Sequence, residues 1–142
     1  MPAAQAIPSP TPDRVLREDR VDYTPTARSV VLSRHRVARL VPQWGHPSLA
    51  GDAALLVSEL ATNALLHGAI RGRLFRVRLT LTAHVLRIAV SDPRGERLPG
   101  LRQPGADDCY GRGLLIVAQL ADDWGVEPDT VGKTVFAELA VR

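Results

Sequence analysis

The feature that most constrains the fold is an apolar stretch at residues 55–68, which reads Leu-Leu-Val-Ser-Glu-Leu-Ala-Thr-Asn-Ala-Leu-Leu-His-Gly. Its apolar residues recur around most of a helix surface, and such a helix is normally buried. Gly68 is the natural residue to end it. Glu59, Asn63 and His67 nevertheless follow one another at intervals of four residues. Because each step of four drifts by only about 40°, the three side chains share one face.

This polar face, which Ser58 and Thr62 widen, has two interpretations. A carboxylate and a carboxamide on a buried helix are costly unless they have hydrogen-bonding partners. The face is therefore either a stripe satisfied by water and backbone, or one wall of a binding site. The helix alone does not decide between them.

Composition indicates the class of protein. With 142 residues, 45% of them hydrophobic and 23% charged, the chain is predicted to form one domain. Residues 1–13, rich in proline and small residues, are expected to be a disordered tail, which leaves 14–142 for the domain. A net charge of +3 permits an anionic ligand without favouring nucleic acid. One cysteine, Cys109, no secretion signal and no apolar run of membrane length predict a cytoplasmic protein.

Periodicity and boundary residues predict the other elements. Thr24 is the expected N-cap of a first helix, with Pro25 at its first position and Pro42 at its end. The arginines of this helix are expected to form a solvated face. Alternating apolar residues predict strands at 75–81, 86–92, 123–127 and 134–141, a turn at 128–129 is expected, and residues 15–22 read as a short edge strand.

Asp92 has the same parity as Leu86, Ile88 and Val90, so its side chain is predicted to point to the buried face of the sheet. A buried acid needs a hydrogen-bond donor. The alternative is an aspartate that merely turns the chain into Pro93.

The segment after Asp92 has no periodicity, and we expect residues 95–110 to act as a lid over a ligand. It leads into a third predicted helix at 111–121. Gly111 and Gly113 would let backbone N–H groups at this helix start approach an anion, and Arg112 adds positive charge. The glycines are also compatible with a simple flexible linker.

Several familiar motifs are excluded. A phosphate-binding P-loop ending at Gly132-Lys133-Thr134 would need a glycine where Glu127 stands. A dinucleotide fingerprint beginning at Gly111 would need a small residue in place of Ile116. The histidines lack zinc-ligand spacing, and no Gly-x-Ser-x-Gly nucleophile elbow occurs.

The remaining motifs together resemble the GHKL ATPase superfamily. Its N box, G1 box, G2 box and final Gly-Thr motif correspond in order to the 58–64 helix, Asp92, Gly111-x-Gly113 and Gly132-x-Thr134. Over residues 22–142 the chain is most similar to the small anti-sigma-factor serine kinases and their histidine-kinase-like ATPase relatives. The sequences at 58–64, 111–117 and 132–136 carry this resemblance.

The resemblance implies an α/β two-layer sandwich of the Bergerat type, in which helices pack on one side of a mixed sheet. ATP would lie between sheet and helices, beneath the 95–110 lid. Asn63 would bind Mg²⁺, Glu59 would act as general base, and Asp92 would accept from the adenine amino group with support from Thr134. The implied nucleotide-binding set is completed by His67, Gly95, Gly111, Arg112, Gly113 and Leu114. The G1 box departs from Asp-x-Gly-x-Gly, because Pro93 and Arg94 follow Asp92.

The resemblance also implies a function. The leading hypothesis is an ATP-dependent protein serine/threonine kinase that acts as an anti-sigma factor. It would phosphorylate an anti-anti-sigma protein of the STAS type and otherwise hold a sigma factor, without direct contact to nucleic acid or membrane. A homodimer is compatible with this role. The alternatives are a non-catalytic nucleotide-binding switch and a stand-alone ATPase. Glu59 favours catalysis, because the general base is retained.

Overall fold

The computed structural model describes residues 13–68, 73–92, 114–128 and 132–142. A 3₁₀ turn (Pro47–Leu49) precedes the second helix, and a π-helical turn (Ala64–Gly68) follows it directly. The five strands are β1 (Arg17–Tyr23), β2 (Phe75–Leu81), β3 (Val85–Asp92), β4 (Asp123–Pro128) and β5 (Lys133–Ala140). The helices are α1 (Ala27–Gln43), α2 (Ala50–Asn63) and α3 (114–120).

The strands form one sheet in the order β1-β2-β3-β5-β4. The predicted α/β sandwich is confirmed, and β1 lies at the sheet edge as expected. The sheet is not mixed, however, because each of the pairings between these strands is antiparallel. The helical connection from β3 leads to β4, which runs parallel to β3, but β5 lies between the two. A parallel neighbour pair therefore does not form among the described strands.

The core lies between the sheet and α2, which contacts β3 and β5 and packs along α1. The alternation predicted for 75–81 is confirmed, because Phe75, Val77, Leu79 and Leu81 are all buried. The segment Pro47–His67 is long and apolar enough to cross a membrane by length and composition alone. In this fold it contributes core side chains, which include Leu56, Val57, Leu60 and Ala61, each at most 1% exposed.

The boundaries of α1 differ from those predicted. Thr26, not Thr24, is the N-cap, and its Oγ1 accepts a hydrogen bond from the Ser29 N–H at 3.2 Å. Residues 24–26 precede the helix, and the Thr26 N–H donates a hydrogen bond to the Thr24 carbonyl at 2.8 Å. Pro42 lies inside the last turn rather than at the end, and the Trp44 N–H still bonds the Leu40 carbonyl at 2.9 Å.

Ion pairs tie β1 to its neighbours. Arg36, expected on a solvated face, donates to both carboxylate oxygens of Asp19 at 2.7 Å and so anchors α1 to β1. This hydrogen bonding raises the pKa of Arg36. On the other face of the sheet, Arg76 donates to Asp22 at 2.8 Å and lowers the pKa of that carboxyl group. The edge strand is therefore held by charge as well as by its backbone ladder.

Candidate functional site

The polar face of α2 contains two buried atoms that lack a partner. Ser58 and Asn63 are 8% and 7% exposed, and Ser58 Oγ and Asn63 Nδ2 have no hydrogen-bond partner within the described structure. Buried polar groups are nearly always hydrogen-bonded, and leaving one unsatisfied costs about 1–3 kcal/mol. The cost of these two unsatisfied polar groups favours the interpretation that the polar face is one wall of a binding site over the interpretation that water and backbone satisfy it.

Glu59 lies between these residues and is half-buried. It makes no hydrogen bond or ion pair with another described residue, so its carboxylate is not committed to a structural role there. Its position on α2 is set by the apolar residues around it, Leu56, Val57 and Leu60, which fix the helix against the core. A half-buried, uncommitted carboxylate is suited to proton transfer.

The helix changes character immediately after Asn63. The chain continues as the π-helical turn Ala64–Gly68, which contacts β3 and contains the half-buried His67. Single π turns are rare and are frequent at functional sites. The contact brings the end of the polar face of α2 to the strand that carries Asp92.

Asp92 is buried, as its parity predicted, and a second charge accompanies it. Lys133 is its register partner on β5, and Lys133 Nζ lies 4.0 Å from Asp92 Oδ2. Both side chains are only 2% exposed. The two groups therefore lie side by side on the helix-covered face at the end of β3. Removing a charged group from water costs free energy, and only interactions with partners can offset that cost.

Thr134 lies on the opposite face of the sheet. Its Oγ1 is hydrogen-bonded to Ser91 Oγ at 2.6 Å, and both residues line a cavity of about 450 Å³ together with Arg76 and Arg78. Successive side chains of a strand alternate between faces, so Thr134 cannot share the face of Asp92 while Lys133 does. Lys133, rather than Thr134, is the register partner of Asp92, and the expected support of Asp92 by Thr134 stays a prediction.

Part of the expected site lies outside the described residues. This applies to Gly95, Gly111, Arg112 and Gly113, and also to the 95–110 lid and the 1–12 part of the tail. Leu114 is the first described residue of α3, where it is half-buried and packs against the core. The predicted turn at 128–129 is described only at Pro128, which ends β4.

Two features of the site escaped prediction. Lys133 has the parity of Val135, Ala137 and Leu139, so the pattern itself placed a lysine on the buried face. Ser58 was placed on the polar face by the sequence, but its burial without a partner gave no comparable signal, because a serine on a helix usually bonds water or a backbone carbonyl.

The donor set fits a magnesium ion held largely by ligand phosphates. Among the described residues no group of at least three histidine, cysteine, aspartate or glutamate side chains is placed to hold a metal. Mg²⁺ commonly takes one or two protein oxygens and completes its shell with water and phosphate. A half-turn of the Asn63 carboxamide exchanges Nδ2 and Oδ1, so the buried position without a partner can present an oxygen.

Comparisons with known proteins agree with this geometry. A family model described as histidine kinase-like ATPase domain matches residues 23–138. The crystal structure of the RsbU and RsbW domains of Rv1364c from Mycobacterium tuberculosis has a similar fold, with a TM-score of 0.67 and 18% sequence identity. The similarity covers 89% of this chain and 33% of that one, so this chain spans about a third of its length. No curated protein sequence matches.

Proposed function

The chain belongs to the histidine kinase-like ATPase family, and from this premise we propose that it binds Mg-ATP against the polar face of α2 and phosphorylates a partner protein. The observation that carries the proposal is the pair of buried atoms without partners, Ser58 Oγ and Asn63 Nδ2, beside the uncommitted Glu59. Ligand binding would relieve the cost of leaving them unsatisfied.

Residues of α2 and β3 have different roles in the proposed reaction. Asn63 holds Mg²⁺ through its amide oxygen, and the bound nucleotide supplies the phosphoryl group. Glu59 accepts the proton of a serine or threonine hydroxyl while that oxygen forms its bond to phosphorus and the bond to the ADP oxygen breaks. Asp92 accepts a hydrogen bond from the amino group of the base.

For the partner we propose an anti-anti-sigma protein of the STAS type, with the chain acting as an anti-sigma factor in the cytoplasm. The support is the motif resemblance at 58–64, 111–117 and 132–136, and a fold shared with a structure that contains an RsbW domain. At 18% identity that structure supports the fold, and the partner rests on the motifs.

A nucleotide-binding switch that holds a partner without phosphorylating it is the second candidate. The observation in its favour is the altered G1 box, in which Pro93 and Arg94 follow Asp92. Arg94 stands where the family pattern has its first glycine, and Pro93 before it lacks a backbone N–H, so the sequence of this box departs from the family pattern.

Two measurements separate these functions. Calorimetry compares ATP binding with Mg²⁺ and with a chelator, and labelled ATP is then incubated with the protein and purified STAS-type candidates. Label on the partner supports the kinase, binding without transfer supports the switch, and phosphate release without a partner indicates a stand-alone ATPase. No binding at millimolar Mg-ATP would refute all three.

A further inference from the structure

The face of the sheet opposite the helices carries a hollow that the proposed function does not use. This cavity of about 450 Å³ is lined by four arginines, three hydroxyl-bearing residues and one carboxylate, that of Glu127. The arginines are Arg20, Arg76, Arg78 and Arg87. Small-molecule sites in proteins occupy about 300–1,000 Å³, so this arginine hollow has the volume of such a site.

The arginine hollow exists because short side chains stand among long ones on this face. Ala89 on β3 has Arg78 as its register partner on β2 and Phe136 as its register partner on β5. Ala89 is only 8% exposed, because its longer neighbours surround it. Two residues further along β3, the short Ser91 is hydrogen-bonded to Thr134 at 2.6 Å. These small residues form the floor of the hollow.

Two of the arginines stand directly opposite each other. Arg20 on β1 and Arg78 on β2 are register partners, and like charges in this arrangement are destabilising. Glu18 forms an ion pair with Arg78, whereas Arg20 makes no hydrogen bond or ion pair with another described residue. The pKa of Asp22 is lowered first by the hydrogen bond from Arg76 and only last by the charge of Arg20. An anion between Arg20 and Arg78 would offset their repulsion.

The other arginines are held in place by neighbouring carboxylates. Arg76 donates to Asp22 through Nε at 2.8 Å and through Nη2 at 3.3 Å. Arg87 donates to Glu127 at 3.2 Å and to Glu138 at 3.3 Å. These contacts restrict the guanidinium groups before any ligand arrives, so less side-chain entropy is lost when one binds. They also neutralise charge, which favours a ligand with one anionic group over a polyanion.

We propose that the arginine hollow binds a soluble phosphate monoester, with its phosphate between Arg20 and Arg78 and the rest of the ligand above Ala89. Guanidinium groups match the geometry of phosphate, and one phosphate has enough oxygens for two of them. Val15 and Ala89 are the only apolar residues that line the hollow, so the site suits a polar small molecule better than a lipid chain. This second site is separate from the proposed nucleotide site, which lies on the helix-covered face.

The test uses ribose 5-phosphate as the probe and the full chain labelled with ¹⁵N. A chelator is present, so that binding at the proposed magnesium-dependent site is suppressed. Titration to millimolar concentration should shift the backbone amide signals of Arg78 and Ala89 until they saturate, while the signals of α2 stay constant. Ribose without phosphate should shift none of them. The affinity should fall as salt is added, because the arginines are exposed to solvent.

Two variants change the hollow in independent ways. Arg20→Gln should weaken the binding of ribose 5-phosphate by about tenfold, because charge-assisted hydrogen bonds to the phosphate are lost. Ala89→Leu leaves every charge in place but fills the floor of the hollow, so it should weaken binding at least as much. The matched control is Arg17→Gln. Arg17 lies on β1 with the opposite parity and donates to the Leu16 carbonyl at 3.1 Å, so this variant should bind like the parent.

Several outcomes would overturn the inference. The absence of saturable shifts in the parent is one, and equal weakening by Arg17→Gln and Arg20→Gln is another, because the effect would then be one of general charge. Full affinity in Ala89→Leu would place the ligand elsewhere. If Ala89→Leu does not fold, the two variants of exposed arginines decide. A dimer, detected by sedimentation, that excludes the probe would assign the hollow to a second copy of the chain and overturn the inference. Nucleotide binding is measured separately, so its failure would refute the proposed function alone.

Discussion

Glu59 and Asn63 stand one turn apart on α2, yet their surroundings differ. The amide is buried and lacks a partner, whereas the carboxylate is half-buried and uncommitted. An amide oxygen suits a hard cation, and a carboxylate near the protein surface suits proton transfer. Neighbouring residues of one helix face are therefore equipped for different tasks.

Glu59→Gln should keep Mg-ATP binding nearly unchanged and lower phosphoryl transfer to the protein substrate by about 10²–10⁴-fold, because the amide cannot accept the proton. Single-turnover transfer of labelled phosphate and calorimetry measure the two properties separately. Asp52→Asn removes a carboxylate from the exposed first turn of the same helix and should transfer phosphate normally. Transfer by Glu59→Gln at the parent rate would make the polar face structural.

Asp22 should make the fold sensitive to acid. Its pKa is lowered from the ordinary value of 3.8, first by the hydrogen bond from Arg76. A carboxyl group with a lower pKa in the folded state adds stability above its ordinary pKa, and that contribution disappears as the pH falls through the folded-state pKa. Asp22→Asn should therefore flatten the pH dependence of the free energy of unfolding below about pH 4. Urea titrations across this pH range measure the free energy of unfolding of the parent, of Asp22→Asn and of the matched partner variant Arg76→Met. The prediction is contradicted if that free energy depends on pH equally in the parent and in Asp22→Asn.

Among the elements, the β4–β5 pair depends on a glycine. Gly125 faces Phe136 across the strands, and a Cβ added to Gly125 would lie 2.9 Å from two ring atoms. The ring also lies beneath Arg87, whose guanidinium carbon is 4.1 Å from the ring centroid. The aromatic ring thus packs over the bare backbone of the neighbouring strand.

Gly125→Ala should destabilise the protein by about 1 kcal/mol, because the Phe136 ring must move away from the added Cβ and its contact with Arg87 is then disturbed. Thermal denaturation should show a decrease of about 2–5 °C. In the background of Phe136→Leu the same substitution should cost less, since the residues are in contact and their effects are not additive. Equal costs in both backgrounds would argue against the packing explanation.

Local patterns predicted the elements well and their arrangement poorly. The parity of Asp92 was sufficient to predict its burial. Side chains of a strand alternate between the two faces of a sheet, and one face of this sheet is covered by helices. The position of Lys133 opposite Asp92 depends on pairing between strands forty residues apart in sequence, which no local pattern encodes. The same holds for the insertion of β5 between β3 and β4, which makes the sheet antiparallel. The N-cap of α1 was predicted two residues too early, at Thr24, because a threonine followed by proline fits the pattern of a helix start.

At the scale of the whole molecule, nucleotide binding should stabilise the fold. A ligand that binds only the folded state at 100 times its Kd adds about 2.7 kcal/mol to the free energy of unfolding. We expect Mg-ATP to raise the melting temperature by about 8 °C, and a chelator should remove most of the increase. In Asn63→Ala the increase should be much smaller, because the magnesium ligand on α2 is lost. The same increase in parent and variant would exclude Asn63 from the site.

The central position of β5 has a consequence for synthesis. β5 is the last of the described strands, and it pairs with both β3 and β4. The ribosome has therefore translated α2 and Asp92 well before the sheet can close. Until β5 emerges, β3 presents an open edge and β4 has no neighbour, which is a risk for pairing between nascent chains. The proposed nucleotide site can therefore be complete only after β5 has been translated.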